Sequence, residues 1–264
     1  MSIWLRFEAE GVARFGILSG ESITEMSGSM FAGHQPTGRL FDLPRVRPLT
    51  PTQPTKMIGL WNNFHERAKV ENLQQPEHPL YFLKAANSFA AHGEPIRRPS
   101  GYRGRIVFEG ELGIVIGRRC TGISPEQAPA AIFGYTCVND VTARDILRAD
   151  PSFPQWTRAK SFDGFGIFGP WIVTGLDPMP LRVRAIVAGK QRQDYAVADM
   201  FFPPFELVSR LSHDMTLEPG DVIACGTSVG AGEMQDGDSV EIAIDGVGSL
   251  VNFLAPAGTD QATD

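Results

Sequence analysis

The sequence predicts a β-rich α+β fold, and three observations support this. Apolar residues recur in short runs that alternate with polar residues, which is the period of a half-buried strand. The 264 residues include 28 glycines and 20 prolines, which favour turns and interrupt long helices. With 42% hydrophobic and 20% charged residues, the chain can build a substantial core. These features predict many short strands around that core and only a few short helices.

The first element is a small β unit. Residues 3–25 alternate and turn in the manner of a β-hairpin. A proline-rich stretch follows from Pro44 to Pro54, and it cannot hold a helix. We therefore divide the chain into residues 1–52, a small N-terminal β subdomain with its proline-rich join, and residues 53–264, the main domain.

The main domain begins with two predicted strands, Met57–Leu60 and a strand in "HPLYFLKAANSF" that ends in polar residues, separated by a polar stretch of weak helical character. Residues 124–133 begin with a serine N-cap and predict a short helix. Residues 205–215 carry apolar side chains at helical spacing and predict a second helix. Near the C-terminus, an alternating strand runs up to Asp245-Gly246, a strong hairpin signal. The main domain is therefore predicted to have strands near both of its ends and two short helices between them.

Charge and cysteine content restrict the function classes. A formal charge of −6 and a pI near 5.4 argue against a general nucleic-acid binder, which needs a basic surface. We find no apolar run of membrane-spanning length and no signal-peptide pattern at the N-terminus, so no membrane partner is expected. Cys120, Cys137 and Cys225 are far apart and odd in number, which is typical of reduced, buried thiols in a cytoplasmic protein.

Two glutamates interrupt an apolar strand in "RIVFEGELGIVIGRR". Alternate side chains of a strand point to opposite faces, so Glu109 and Glu111 share one face, with Cα atoms roughly 6.5–7 Å apart. Two like charges that converge in a partly buried place repel each other unless a cation lies between them. For an isolated Glu-x-Glu, a solvated strand face is the commoner explanation.

A third carboxylate favours the cation. In "FGYTCVNDVTARD" an apolar run ends at Asn139-Asp140, where a strand would end. Three carboxylates without a nearby histidine or cysteine form an all-oxygen site, which suits Mg²⁺, Mn²⁺ or Ca²⁺ rather than Zn²⁺. Such a site leaves coordination positions open for water or for a substrate.

Five blocks of the sequence, taken together, resemble the fumarylacetoacetate hydrolase family: "MIGLWNNFHERA", "FEGELGIVIGRRC", "GYTCVNDVTARD", "PQWTRAKSFDGFGIFGPWIVTG" and "LEPGDVIACGTSVGAGEMQDGDSVEIAIDGVGSLVN". They cover about residues 57 to 254. The resemblance implies a mixed β-sandwich roll for the main domain, a homodimer, and a bound Mg²⁺ or Mn²⁺, with Ca²⁺ as a substitute in crystals. Members of the family cleave or rearrange 2-oxo and 2,4-dioxo acids as hydrolases, decarboxylases or isomerases.

The resemblance also assigns roles to residues. It implies that Glu109, Glu111 and Asp140 are the metal ligands, in agreement with the strand argument. It implies that Arg144 contacts the substrate carboxylate and that Lys160 is the active-site lysine. From the residues alone, Arg144 could instead pair with Asp145 or Asp140, and Lys160 stands in a run that looks like ordinary surface.

Two further segments are implicated by the resemblance. Gly226 and Thr227 match a loop that holds the acid end of the substrate, although Thr227 could serve only the turn. His65 matches a histidine on a mobile lid. Many carbon–carbon hydrolases of the family carry a glutamate three residues after this histidine, and here that position is Ala68.

Other residues could replace two that are missing. Glu66 and Glu71 lie near the position of the lid glutamate, without its spacing. A glutamine found in some relatives is Leu147 here, and Gln155 is a candidate substitute.

These features lead to one main functional hypothesis and two alternatives. The main hypothesis is a metal-dependent hydrolase that cleaves a carbon–carbon bond of a 2-oxo or 2,4-dioxo acid, in the catabolism of aromatic compounds. The first alternative is decarboxylation or keto–enol isomerisation of a 2-oxo diacid at the same site, which the absent glutamate at position 68 favours. The second, from another class, is a non-catalytic protein that binds 2-oxo acids through the metal.

Overall fold

The computed structural model describes residues 1–256 and confirms the β-rich α+β class. The first ten strands are β1 Ser2–Ala9, β2 Val12–Ser19, β3 Ser22–Gly28, β4 His34–Asp42, β5 Arg47–Pro48, β6 Met57–Trp61, β7 Leu80–Lys84, β8 Phe89–Ala90, β9 Pro95–Ile96 and β10 Ile106–Phe108. The others are β11 Gly110–Ile116, β12 Ile132–Asp140, β13 Thr142–Ala143, β14 Gly166–Thr174, β15 Arg182–Val187, β16 Lys190–Ala196, β17 Val222–Ala224, β18 Gly232–Met234, β19 Ser239–Ile244 and β20 Gly248–Leu254. The helices are α1 His65–Glu71, α2 Arg144–Leu147, α3 Trp156–Lys160 and α4 Pro204–Asp214.

The N-terminal β unit continues the main sheet. Strands β1 to β4 form an antiparallel meander, and β1 pairs with β14 from Ser2 opposite Thr174 to Trp4 opposite Ile172. The side chain of Trp4 is buried against the main domain, where it contacts Phe133. The division of the chain at residue 52 stays a prediction, but the two parts share one sheet.

The main sheet curls around the core of the protein. Its strands follow the order β1-β14-β12-β11-β17-β6-β7 beyond the N-terminal meander. Strand β8 follows β7 closely in the chain and pairs with β14 on the other side of this path. The sheet is thereby rolled so that the end of β7, at Lys84, lies close to Gly166 at the start of β14. Strands β11 and β12 lie in the middle of the roll, and every residue of β11 is buried.

A second sheet covers the roll. It has five strands in the order β16-β15-β19-β20-β9, and β15, β19 and β20 pack against β11, β12 and β14. The predicted hairpin at Asp245-Gly246 is confirmed, because β19 and β20 pair across it. Apolar side chains of the two sheets and of α4 form one large buried cluster.

Two helix predictions had different outcomes. The helix predicted at residues 205–215 is confirmed as α4, shifted by one residue. The helix predicted at residues 124–133 is wrong: the segment forms only a 3₁₀ turn at Ala128–Ala130, and β12 begins at Ile132. Pro129 explains the difference, because it lacks the N–H that an α-helix would need at that position.

The strand predicted in residues 105–119 is interrupted at Glu109. Strand β10 belongs to a three-stranded sheet with β13 and β18, and β11 belongs to the main sheet.

Within residues 1–256, no helix combines the length and the hydrophobicity that crossing a bilayer requires.

Candidate active site

Three carboxylates converge where β10 passes into β11. Gly110 lies opposite Asn139 in the β11–β12 pair, so Asp140 falls opposite Glu109, and its N–H donates to the Glu109 carbonyl oxygen at 2.9 Å. Glu111 follows two residues later on the same face. One carboxylate oxygen from each of the three residues lies within 4.8 Å of the others, and all three side chains are buried. The convergence expected from strand alternation is therefore present.

Two buried lysines bind these carboxylates. The Lys160 ammonium donates to Glu109 Oε2 at 2.6 Å and to Asp140 Oδ2 at 2.5 Å, and the residue is 2% exposed. The second oxygen of Asp140 accepts a hydrogen bond from Lys84, which is also 2% exposed. Lys160 is thus not the surface residue that its neighbours in sequence suggest. Lys84 was not identified from the sequence.

The electrostatics of the cluster are uneven. Burial, together with the charges of Asp140 and Glu109, raises the pKa of Glu111 well above its usual range. Burial would also raise the pKa of Asp140, but Lys160 and Lys84 outweigh it and lower that pKa. Burial would lower the pKa of Lys160, but Asp140, Glu109 and Glu111 outweigh it and raise that pKa. Lys160 is therefore an ammonium at neutral pH. Of the three carboxylates, Glu111 is the one that forms no ion pair with a described residue.

The donor set fits a hard divalent cation. Glu111 Oε1 is buried and has no hydrogen-bond partner among the described residues. With all groups ionised, the ammonium groups of Lys84 and Lys160 compensate two of the three carboxylates and leave one negative charge. A divalent cation would reverse this sign and satisfy the orphaned oxygen. Carboxylate oxygens alone favour Mg²⁺ or Mn²⁺ over Zn²⁺.

The loop after β17 supports Glu111 directly. Gly226 has φ +90°, and its N–H donates to Glu111 Oε2 at 2.8 Å. The Thr227 hydroxyl donates to the Gly110 carbonyl oxygen at 2.9 Å and accepts from Gln193 Nε2 at 2.8 Å. Gln193 Oε1 in turn accepts the Gly110 N–H at 3.0 Å. Gly226 and Thr227 therefore fix the position of the carboxylates in this structure.

Gln193 is a second residue of the site that was not identified from the sequence. It lies in β16 among exposed polar residues, in "KQRQDYA", yet it is 1% exposed. Strand alternation gives a weak signal, because Gln193 shares a face with Tyr195, whose hydroxyl donates to the Gly110 carbonyl oxygen. Nothing in the sequence identifies that face as buried over the active site.

A small cavity opens beside Glu109 and Lys160. Its volume is about 10 Å³, which is room for roughly one water molecule. In this conformation the cavity is too small for a molecule larger than water. The other lining residues are Leu60, Trp61, Asn62, Arg67, Phe82, Arg144, Leu147, Trp156 and Thr227.

Two arginines line this cavity. Arg144 begins α2 and forms no salt bridge within residues 1–256, because Asp145 pairs with Arg105 and Asp140 pairs with the two lysines. Arg67, on α1, was not singled out from the sequence. Its side chain is 14% exposed and pairs with Glu71 at 3.0 Å. Burial lowers the pKa of Arg67, but Glu109 and Glu71 more than offset this effect, and the pKa is raised.

His65 does not line the cavity. It begins α1, is exposed, and packs its ring edge-on against Phe201 with ring centroids 4.1 Å apart. Ala68 is buried on the same helix, and Glu71 is engaged by Arg67. Gln155 does not line the cavity either, although Leu147 does. Among the described residues, none forms an ion pair with His65.

Comparison with known proteins places the chain in a family. The model of the fumarylacetoacetate hydrolase C-terminal domain matches residues 56–255, and a model named Rv2993c-like, N-terminal, matches residues 4–51. The first match alone covers most of the chain.

The chain belongs to the fumarylacetoacetate hydrolase family.

Similar members of the family catalyse different reactions. The oxaloacetate tautomerase YisK of Bacillus subtilis is 38% identical over 81% of this chain and 75% of its own length. The 2-hydroxyhepta-2,4-diene-1,7-dioate isomerase of Mycobacterium marinum is 36% identical, with a TM-score of 0.89 over 97% of this chain and 100% of that structure.

A maleylpyruvate hydrolase from Sphingobium sp. SYK-6 is 25% identical, with a TM-score of 0.79 over 97% of this chain and 99% of that structure, which contains manganese(II) and pyruvate. Homologues of this chain are thus enzymes of the family, and they include isomerases, tautomerases and hydrolases.

Proposed function

We propose that the protein converts a 2-oxo acid through its enolate, by keto–enol tautomerisation or by decarboxylation. The observation that carries the proposal is the pairing of a buried carboxylate trio with an ammonium, Lys160, beside a cavity. Glu109, Lys160 and two arginines line this cavity, and no histidine of residues 1–256 does. Such a site can stabilise negative charge on oxygen but presents no histidine to activate a water molecule. The tautomerase and isomerase relatives support the same reaction class.

Glu109, Glu111 and Asp140 would hold the divalent cation. When bound, Mg²⁺ or Mn²⁺ supplies Lewis-acid polarisation of the 2-oxo group and charge stabilisation for an enolate. The manganese of the Sphingobium homologue supports a cation of this kind. Asp140 is held in place by Lys84, and Glu111 by the Gly226 N–H.

The other residues bind and orient the reactant. Lys160 stays protonated at neutral pH, so it can donate a charge-assisted hydrogen bond to the enolate oxygen as negative charge develops there. Arg144 has no carboxylate partner among the described residues and can take the carboxylate of the substrate, a positioning role. In tautomerisation a proton is exchanged between the enol oxygen and C3. In decarboxylation the bond from C3 to the leaving carboxylate breaks, its electron pair forms the enolate, and CO₂ departs.

Hydrolysis of a carbon–carbon bond is the second candidate. The fold match to the manganese-containing maleylpyruvate hydrolase favours it. It requires a base for water, and His65, at the start of α1, is the candidate that the family resemblance offers. The absence of a carboxylate at Ala68 and the exposed position of His65 count against it in the present conformation.

One assay series separates these reactions. The protein is incubated with Mg²⁺ or Mn²⁺ and either oxaloacetate or an acylpyruvate, while enol absorbance, CO₂ and carboxylic acids are measured. Accelerated loss of the enol or release of CO₂ supports enolate chemistry, and release of two acids supports hydrolysis. Stabilisation by the 2-oxo acid without turnover would make the protein a binding protein and would refute the proposal.

Two variants test the residue roles. Lys160→Ala should reduce turnover about 10²–10³-fold, while the metal dissociation constant changes less than about tenfold. His65→Gln should leave tautomerisation within about threefold of the parent, as should the matched surface control His78→Gln. A loss of about 10²–10⁴-fold in His65→Gln alone would instead identify His65 as an acid–base catalyst.

A further inference from the structure

An apolar pocket adjoins the carboxylate cavity. Its volume is about 540 Å³. Of the side chains that line it, only Arg148 is charged. The others are Trp61, Pro79, Leu80, Tyr81, Phe82, Leu147, Pro154 and Trp156. Large aromatic residues thus make up half of the uncharged lining.

The pocket and the carboxylate cavity share a wall. Trp61, Phe82, Leu147 and Trp156 line both spaces. The Phe82 ring stacks on Trp156, with centroids 5.3 Å apart and an angle of 11° between the ring planes. The Lys160 ammonium lies 5.0 Å from the centroid of the same Phe82 ring. A ligand with its reacting end at Lys160 therefore has the aromatic pocket beside it.

Two residues that line the pocket are exposed at a cost in free energy. Leu80 is 40% exposed and Tyr81 is 39% exposed, both on the edge strand β7. Covering apolar surface of this kind is favourable at about 25 cal/mol per Å². Aromatic walls also favour a flat ring, because offset-stacked and edge-to-face ring pairs are attractive beyond the area that they bury.

We propose that this pocket binds an aryl group on the substrate, on the side of the 2-oxo group away from its carboxylate. The inference rests on the proposed function, since it places the 2-oxo acid end at Glu109, Glu111 and Asp140. It narrows the substrate class to 2-oxo acids with an aromatic tail. Continuity of the two spaces through four shared side chains is the reason to assign the pocket to the substrate rather than to another protein.

Stable substrate analogues test the proposal. Oxalate has no tail, N-methyloxamate has a small one, and N-phenyloxamate has an aryl tail on the same chelating end. Dissociation constants are measured by calorimetry with Mn²⁺ present. We expect N-phenyloxamate to bind about tenfold more tightly than N-methyloxamate.

Two variants on β7 provide a matched pair. Leu80 lines the pocket, whereas Leu83, on the same strand and 42% exposed, does not. Leu80→Asp should abolish the advantage of N-phenyloxamate, and Leu83→Asp should retain it. Oxalate should bind equally to the parent and to both variants.

The outcomes separate the two proposals. Failure of oxalate to bind the parent protein in the presence of Mn²⁺ would refute the 2-oxo acid function itself. Binding of oxalate without any advantage for the phenyl analogue would overturn only the aryl pocket, for example because a second copy of the chain covers β7. Equal loss of the advantage in Leu80→Asp and Leu83→Asp would also overturn it.

Discussion

At the scale of single residues, Glu111 is the ligand whose loss is easiest to interpret. Its raised pKa indicates that, in the metal-free site, Glu111 keeps its proton to a higher pH than an ordinary glutamate does. Glutamine closely imitates that protonated form. We expect Glu111→Gln to keep the melting temperature of the metal-free protein within about 4 °C of the parent value. We expect it to weaken Mn²⁺ binding at least about 10²-fold. Calorimetry with Mn²⁺ measures this loss.

The control for Glu111→Gln is Glu25→Gln. Glu25 is a buried glutamate that pairs with Arg14 in the N-terminal meander. Its replacement should leave Mn²⁺ affinity unchanged. Parent-like Mn²⁺ binding by Glu111→Gln would show that the carboxylate trio is not the metal site.

The cysteines give a second test at this scale. Burial raises the pKa of the Cys137 thiol to about 12 and raises that of Cys225 well above its usual range. Since the thiolate is the reactive form, neither should react with a thiol reagent at pH 8 in the folded protein. Both should react after denaturation. Rapid reaction of a native thiol, located by peptide mapping to Cys137 or Cys225, would contradict their burial.

The same pKa shifts determine how stability changes at alkaline pH. An unfolded cysteine loses its proton near pH 8.5, whereas the folded Cys137 keeps it to about pH 12. Above pH 8.5 the folded state therefore binds more protons than the unfolded state, and the free energy of unfolding falls as pH rises. Below pH 8.5 these thiols contribute no pH dependence.

The sequence predicted that the carboxylates lie close together, but it did not identify the residues that hold them, such as Lys84 and Gln193. Alternation along one strand sufficed to place Glu109 and Glu111 on one face. Lys84 stands on the same face of β7 as Phe82, so its burial follows the same rule. That face could be identified only with the sheet order, because β7 carries the exposed Tyr81 and Leu83 on its other face and resembles an amphipathic surface strand.

At the scale of secondary-structure elements, the loop after β17 depends on the left-handed backbone of Gly226. A Cβ there would lie 3.3 Å from the Leu60 carbonyl oxygen and 3.4 Å from Asn63 Cβ. Gly226→Ala should cost about 1–2 kcal/mol of stability, because an L-residue is strained at this φ. It should also weaken Mn²⁺ binding, since the displaced N–H no longer orients Glu111. Chemical denaturation and calorimetry measure the two effects.

Gly237 provides the comparison for that loop. Its φ is +91°, and a Cβ there would meet nothing within 4 Å. Gly237→Ala should therefore show a similar backbone strain without a change in Mn²⁺ affinity. Equal weakening of Mn²⁺ binding in both variants would mean that the effect is global destabilisation rather than misplacement of Glu111.

Elements were predictable where one local rule dominated. Helix α4 and the β19–β20 hairpin were predicted from apolar spacing and from Asp245-Gly246. The break at Glu109 was not, because the residues on both sides are equally apolar. The break arises because β10 and β11 pair with strands of different sheets. Segments distant in the sequence determine these pairings.

At the scale of the whole molecule, the order of the strands in the sheets could not be predicted from the sequence. The first strand pairs with β14, about 170 residues later, and β8 pairs with β14 in parallel. Such pairings depend on which edges the rest of the fold leaves open. The continuity of the sheet across residue 52 has a consequence for stability: the N-terminal strands and the main domain should unfold together.

Trp4 is the residue that tests this cooperativity. It is 5% exposed, lies on β1 opposite Ile172, and contacts Phe133 with ring centroids 5.8 Å apart. We expect thermal unfolding of the parent in a single transition. Trp4→Ala should lower that whole transition by about 10 °C, because replacing a buried tryptophan by alanine typically costs 3–5 kcal/mol.

Val12→Ala is the matched variant for Trp4→Ala. Val12 is 49% exposed on the neighbouring strand β2, so its replacement by alanine should leave the unfolding transition unchanged. Scanning calorimetry distinguishes the possibilities. If Trp4→Ala instead split the trace into an early, small transition and an unaltered main one, residues 1–52 would be an independent unit. The shared sheet would then contribute little to the stability of the main domain, and metal binding should shift only the later transition.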